Sequence, residues 1–210
     1  MTFQSGYRTK RSSARVRQES IFSFETALGW IGIAHANDLI TQIKFGYDTE
    51  FKLREQFFQP EHDNYWSSGE RLDDFERNLK CRFRQFAAGE VVDFDDLDIE
   101  QTWMTPFQRH VTDACRAIPY GETLTYADLA AIAGSPKAAR AVGTVMSRNR
   151  YPLLVPCHRV VGGGGQIGGY SAPDGVNLKL KLLRLEGAVD FVAADELEPD
   201  LKSDQEEETP

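Results

Sequence analysis

The chain has 210 residues, 41% of them hydrophobic, enough for one large domain or two small ones with real cores. Its formal net charge is −8, its three cysteines form no CxxC, and no run of about 18 apolar residues occurs. These facts exclude a membrane span and a disulfide framework and fit a reducing compartment, with a cytoplasmic location expected, or a nuclear one in a eukaryote.

Residues 1–20 carry five bases and one acid and read as a disordered basic tail without an apolar signal core. Residues 21–100 hold 17 acids and 8 bases. Alternating text at Phe22–Thr26, Trp30–Ala34 and Leu39–Phe45, with turns at Ala27-Leu28-Gly29 and Asn37-Asp38, predicts a three-strand meander. Leu72, Phe75, Leu79, Phe83 and Phe86 recur at spacings of three and four and predict a long helix that Gly89 ends. Cys81 in that helix reads as a bystander. The acidic stretch Glu90–Glu100 reads as a linker.

Residues 101–187 hold 10 bases and 5 acids, so a basic body follows an acidic one. A local basic surface bears on a polyanion partner more than the overall charge does. Thr105-Pro106-Phe107-Gln108 is a capping box with proline at the first helical position. Phe107, Val111, Ala114, Cys115 and Ile118 form the apolar stripe of that helix, so Cys115 reads as a buried small hydrophobe. Thr125-Tyr126-Ala127-Asp128 is a second capping box, opening a short helix that stops at Gly134. Ser135 and Pro136 are expected to cap and open the next helix, which runs to Ser147. The pair, over about 125–148, reads as a helix-turn-helix, with an ordinary αα-hairpin as the bland alternative. The Ala/Gly-lined second helix and its single long side chain, Arg140, favour nucleic acid, with Arg140 as a wedge or phosphate contact. Tyr151–Val161 reads as extended chain and Gly162–Gly169 as a hairpin turn. A last helix is expected from Val176 to Leu185. Residues 190–210 carry nine acids against Lys202 and read as a disordered acidic tail.

The segment Val155-Pro156-Cys157-His158-Arg159-Val160-Val161 sets a thiol beside an imidazole in an apolar run. A zinc site fails for want of ligands, because the other histidines stand apart from the cysteines. Gly163-x-Gly165-x-x-Gly168 matches a dinucleotide fingerprint, but no helix follows it. A buried strand cysteine is the plain alternative, and Pro156 weakens it by breaking any ladder. On an extended chain Cys157 and His158 point to opposite sides, so His158 would act through a water with a third group behind it. Glu186 is a candidate for that group, since an acid in the last turn of a helix opposes the macrodipole. A solvated terminal Glu is the alternative. A Glu–His–water–Cys relay is expected to lower the thiol pKa and hold a thiolate.

With these residues in place the chain resembles the O6-alkylguanine-DNA alkyltransferases (methylated-DNA–protein-cysteine methyltransferases). The matching text is Phe107-Gln108, Ile118-Pro119-Tyr120-Gly121-Glu122, Thr125-Tyr126-x-x-Leu129-Ala130, Gly134 through Gly143, Asn149, Pro156 through Val161, Gly169-Tyr170-Ser171 and Leu182-Leu183-x-x-Glu186-Gly187. It covers about 80 residues in the family's order. The resemblance implies an α/β (α+β) fold. A ribonuclease-H-like N-terminal domain with linker would span residues 21–100, and a winged helix-turn-helix-like alkyltransferase domain residues 101–189.

It also implies a monomer that binds the minor groove of double-stranded DNA and flips out an alkylated guanine, with O4-alkylthymine as a further candidate substrate. Arg140 resembles the finger that fills the stack, and Tyr126 the residue that crowds the adjacent phosphate and walls the base pocket. Ser135, Ala139 and Arg148 fall on the same implied DNA face. Cys157 resembles the nucleophile that takes the alkyl group, His158 and Glu186 its relay, and Tyr170 the phenol that protonates the leaving base. Asn149 resembles the tie between recognition helix and active-site segment. The Val160 carbonyl and Ser171 amide resemble contacts to the base. The stable thioether product implies one turnover per molecule.

The resemblance implies no cofactor. The residues that hold a structural zinc in some members are absent, so no metal is expected. Two departures stand out. Asn149-Arg150 replaces a common Asn-Pro. Ala172-Pro173-Asp174-Gly175 replaces a common Ser-Gly-Gly with a loop about two residues longer. Three rivals are a non-reacting alkyltransferase-like lesion binder, a helix-turn-helix regulator, and a thiol hydrolase that turns over.

Overall fold

The computed structural model describes residues 19–57, 65–66 and 72–188. The tails expected at 1–20 and 190–210 lie outside them, apart from Glu19 and Ser20. The alternating text becomes strands β1 (Ser20–Thr26), β2 (Gly29–Ala36) and β3 (Leu39–Tyr47), paired antiparallel with Phe22 opposite Ile33 and Ile33 opposite Ile43. Asn37 and Asp38 both take positive φ (50° and 64°), the backbone that a two-residue hairpin turn needs and that Asn and Asp tolerate.

Helix α1 (Glu50–Glu55), capped by Thr49, and strand β4 (Tyr65–Trp66) were not legible in the sequence. Only Leu53 of α1 is buried, too little for a periodic signal. Strand β4 pairs parallel with β1, so the sheet order is β3-β2-β1-β4 and β3 is an edge. Helix α2 (Asp74–Ala87) starts two residues after Leu72, because Asp73 and Glu76 form a reciprocal capping box. Gly89 follows it at φ 91°, as expected of a residue after the C-cap. Its buried face sets Phe83 against Phe24 and Phe94.

The stretch read as a linker is packed. Phe94, Leu97 and Ile99 are buried, and Ile40 of β3 exchanges backbone bonds with Asp98 (2.9 Å) and Glu100 (2.8 Å). Further along the same free edge β3 meets the segment after Asn149, where the Ile43 amide donates to the Arg150 carbonyl at 2.8 Å. One buried cluster accordingly runs from Phe22 through Cys115 and Cys157 to Leu182.

The basic half contains α3 (Pro106–Arg116), α4 (Tyr126–Ile132), α5 (Ala139–Ser147) and α6 (Gly175–Leu185). Two short parallel strands, β5 (Leu124–Thr125) and β6 (Val160–Val161), accompany them. Both expected capping boxes form, at Thr105/Gln108 and Thr125/Asp128. Among the described residues the whole is a mixed α/β fold of two small sheets and six α-helices.

Three local expectations are corrected. Helix α5 starts at Ala139, and Ser135 does not cap it. Gly134 at φ 76° and the Ser135 amide bonding back to Ala130 finish α4, and the Ala138 amide then closes a turn onto Ser135 at 2.8 Å. Cys157–Arg159 is a 3₁₀ turn, not extended chain, closed by the Arg159 amide on the Pro156 carbonyl. Gly162–Gly169 makes no hairpin. The Gly162 amide bonds the Gln166 carbonyl at 2.6 Å, and no strand follows.

Candidate active site

Asn149, just past α5, is the fixed point. Its Nδ2 donates to the Val155 carbonyl at 2.7 Å and to Cys157 Sγ at 3.1 Å, and its Oδ1 accepts the Tyr151 amide at 2.9 Å. One side-chain amide thus joins the end of the helix pair to the thiol. Cys157 is 8% exposed. It lines two cavities at once. One, of about 380 Å³, is walled by Tyr126, Gly143, Met146, Ser147, Gly169, Tyr170 and Ser171, a size usual for a ligand pocket. The other, of about 50 Å³, lies toward β3 and is walled by Lys44, Phe45, Tyr47, Asn149, Tyr170 and Pro173 among others.

Behind the thiol stands a buried charge network. Glu186 caps α6 at its C-terminal end and is no solvated terminal residue: its side chain is fully covered. His158 Nε2 meets Glu186 Oε1 at 2.9 Å. Arg159 clamps the same carboxylate, Nε on Oε2 at 2.8 Å and Nη2 on Oε1 at 2.9 Å, and gives Nη1 to the Ile118 carbonyl at 2.6 Å. Burial alone would raise the Glu186 carboxyl, but the hydrogen bonds from His158 and Arg159 bring it down to about 2. The carboxylate is therefore an acceptor only, so His158 Nε2 carries the hydrogen. Burial holds the imidazole below its ordinary pKa against the pull of Glu186, so the ring is neutral and Nδ1 bears the lone pair. Nδ1 is buried with no hydrogen-bond partner among the described residues.

The thiol itself corrects an expectation. Burial pushes the Cys157 pKa up, and the Asn149 amide, the Lys179 ammonium and the Tyr170 hydroxyl oppose that without overcoming it. The relay does not hold a standing thiolate. The resting site is a protonated thiol with a neutral base close in sequence. Burial, and then the neighbouring sulfur, raise the Tyr170 phenol well above its ordinary range, so it remains a proton donor.

The chain can now be set beside known proteins. Residues 106–188 match the family described as 6-O-methylguanine DNA methyltransferase, DNA binding domain. The constitutive methylated-DNA–protein-cysteine methyltransferase of Bacillus subtilis (strain 168) is 38% identical over 162 residues, 77% of this chain and 92% of that protein. The chain belongs to the methylated-DNA–protein-cysteine methyltransferase family. The methyltransferase of Mycobacterium leprae (strain TN) is 35% identical over 165 residues, 78% of this chain and 90% of that one. The crystal structure of Mycobacterium tuberculosis OGT in complex with DNA superimposes with a TM-score of 0.65 at 29% identity, covering 84% of this chain and 97% of the other.

Within this methyltransferase-family chain, the residues expected on the nucleic-acid face divide by exposure. Arg140 and Arg148 are exposed on and just after α5, while Ser135 and Ala139 are half-buried where the turn enters it. Tyr126 opens α4 and is wedged between two glycines. A Cβ on Gly143 would lie 3.9 Å from its ring, and one on Gly168 only 3.2 Å. Part of the small-residue lining thus makes room for Tyr126. Ser171 is exposed on both cavities. Val160 is not brought to either cavity: it is wholly buried, and its carbonyl accepts Lys179 Nζ at 2.6 Å.

Sequence reasoning gave no role to Arg159 or Lys179. A charged residue inside an apolar run was the available signal for Arg159. Lys179 sits beside Leu178 and three residues before Leu182, hence on the buried stripe of α6. Lys179 is fully covered, and burial lowers its pKa to about 8 although Cys157 and Cys115 pull it upward. Cys115 is buried, as expected, and Cys81 is exposed. Among the described residues no group of three or more metal-ligating side chains occurs, and no helix is long and apolar enough to cross a membrane.

Proposed function

We propose that this chain reverses alkylation damage in DNA by moving the alkyl group of O6-alkylguanine onto Cys157, irreversibly and once per molecule. The observation that carries this reading is Cys157 at the junction of two cavities with Asn149 on its sulfur and a neutral, carboxylate-oriented imidazole next to it in the chain. The larger cavity takes the flipped base beside Tyr126, Tyr170 and Ser171, and the smaller one takes the alkyl group. The sulfur's proton passes through a bridging water to His158 Nδ1. Glu186, fixed by Arg159, stabilises the imidazolium that results, and Lys179 stabilises the thiolate by its charge. The thiolate displaces O6 at the alkyl carbon. The C–O electron pair leaves with guanine, which takes its proton from Tyr170, and the proton held on the imidazolium returns through water to the phenolate. A thioether is a poor leaving group, so the thiol is not regenerated.

In this reading residues 101–189 are a winged helix-turn-helix-like domain that enters the minor groove, with Arg140 filling the gap in the stack and Ser135, Ala139 and Arg148 beside the backbone. Residues 21–100 are a ribonuclease-H-like domain, supported by the order β3-β2-β1-β4 with β4 parallel to β1. The test is the mass of the intact protein after mixing with duplex DNA carrying one O6-methylguanine. One added methyl group, mapped to Cys157, with guanine restored, is the expected result. Unmodified protein bound to the lesion, or repeated turnover, overturns it.

A further inference from the structure

The wall of the small cavity opposite Cys157 comes from the other half of the chain. Lys44 lies on the edge strand β3, half-buried between Ile43 and Phe45, and lines this cavity together with Cys157 and Pro173. Among the described residues no carboxylate pairs with Lys44, although most other buried or half-buried cations in the structure have a partner. Arg159 has Glu186, Lys179 has the Val160 carbonyl, and Arg116 has the carbonyls of Phe94 and Leu97. Its nearest charged influence is a second cation: burial first, then Arg150, disfavour the charged form of Lys44. Arg150 is itself stacked on the Trp103 ring, 4.5 Å from its centroid, and cannot neutralise anything. A half-buried cation beside another cation is disfavoured relative to one in bulk water, and an anion in the adjoining cavity would relieve that cost.

The cavity has a size as well as a sign. Its volume of about 50 Å³ compares with about 10–15 Å³ for one water-sized group, so a few heavy atoms fit beyond the carbon that reacts. A carboxylate has three.

We infer that Lys44 makes the alkyl cavity selective for adducts ending in an anion, with O6-carboxymethylguanine as the chemical class it fits. The inference rests on the alkyl-transfer reading above. The step itself is unchanged: the sulfur bonds the CH₂ carbon, the CH₂–O6 bond breaks with its electron pair going to guanine, and the proton lost by the thiol is balanced by the one guanine gains. The carboxylate is carried across intact and ends beside Lys44. Lys44 touches no reacting atom. It is a specificity residue, contributed by a half of the chain that the family's DNA-binding match at 106–188 does not include.

The test uses three duplexes of one sequence, carrying O6-methylguanine, O6-carboxymethylguanine, or the neutral isostere O6-carbamoylmethylguanine. Single-turnover transfer is measured for the native chain, Lys44→Met, Lys44→Gln and Lys44→Arg. The carboxymethyl-to-carbamoylmethyl rate ratio is expected to fall about tenfold in Lys44→Met and Lys44→Gln, and to be kept in Lys44→Arg, as loss of one partly screened charge contact predicts. An unchanged ratio in Lys44→Met and Lys44→Gln overturns the inference. So does an equal fall for all three adducts, which would make Lys44 a phosphate contact, since phosphate contacts act on every adduct alike. Absence of transfer from all three duplexes by the native chain would instead sink the alkyl-transfer reading.

Discussion

Lys179→Met is the most informative single change, because it separates stability from reactivity. The ammonium is fully covered, its pKa lies near 8 instead of 10.5, and one hydrogen bond to the Val160 carbonyl holds it. At about 1.36 kcal/mol per pH unit, keeping that charge buried at neutral pH costs about 3 kcal/mol. The sign follows from proton uptake: between pH 8 and 10.5 the unfolded chain binds the proton and the folded chain does not, so native stability rises across that window. Methionine removes the charge but leaves the Val160 carbonyl without its donor, a loss of about 1–3 kcal/mol. The variant should therefore be as stable as the native chain or up to about 2 kcal/mol more stable at pH 7, and about 1–3 kcal/mol less stable near pH 10.5. Urea unfolding at several pH values reads this directly. In the same variant the Cys157 thiol loses a positive neighbour that favours its thiolate, so alkylation by iodoacetamide at pH 7.5 should slow about five- to tenfold. Parallel stability–pH curves for the two proteins would refute the buried-charge argument. Unchanged thiol reactivity would refute the coupling of Lys179 to Cys157.

Glu186→Gln should lose about 3–5 kcal/mol, because Arg159 is left as an unpaired buried charge. In the native chain the carboxylate's contribution is complete above pH 4.5 and is lost as pH falls toward about 2, so acid unfolding of the variant should lack that component of about 3 kcal/mol. Cys157→Ser should abolish alkyl transfer while affinity for lesion DNA, measured by fluorescence anisotropy, changes less than about threefold, since a serine hydroxyl can accept the Asn149 amide in place of the sulfur. Arg140→Ala should slow transfer from duplex DNA at least tenfold yet leave iodoacetamide labelling of Cys157 unchanged, because Arg140 is exposed on α5 and removed from the sulfur's contacts. Gly168→Ala places a methyl carbon 3.2 Å from the Tyr126 ring at a φ of 74° and should cost about 1–3 kcal/mol in thermal unfolding, with transfer slowed through the displaced tyrosine.

What the sequence disclosed and what it hid follow one physical line. Strands, helix caps and apolar stripes are short-range, so the meander, both capping boxes and the ends of α4 and α6 were legible from neighbours within four residues. The helix pair α4–α5 was legible for the same reason. Its entry was misplaced because Ser135-Pro136 is a good helix start locally, and only the completed end of α4 makes it a turn. The thiol's environment is long-range. Glu186 lies 27 residues from Arg159, Ile118 lies 41 from it, and Lys44 comes from an edge strand of the first sheet. No spacing rule reaches across such distances.

That is also why the thiol's pKa was expected with the wrong sign. From sequence, a histidine beside a cysteine with an acid behind it looks like a device for holding a thiolate. In the folded chain those charges are spent on one another: Arg159 and His158 on Glu186, Glu186 on both. What Cys157 meets is chiefly burial, which the Asn149 amide, the Lys179 charge and the Tyr170 hydroxyl oppose without overcoming. A site that acts once gains from this arrangement. A standing thiolate in an open cavity would be consumed by any stray electrophile or oxidant. A protonated thiol whose base is neutral is spent only when a substrate fills the cavities and the thiol proton passes through the bridging water to Nδ1. Oxidation of the resting protein by hydrogen peroxide should accordingly be slow at pH 7 and quicken as pH approaches the thiol's raised pKa.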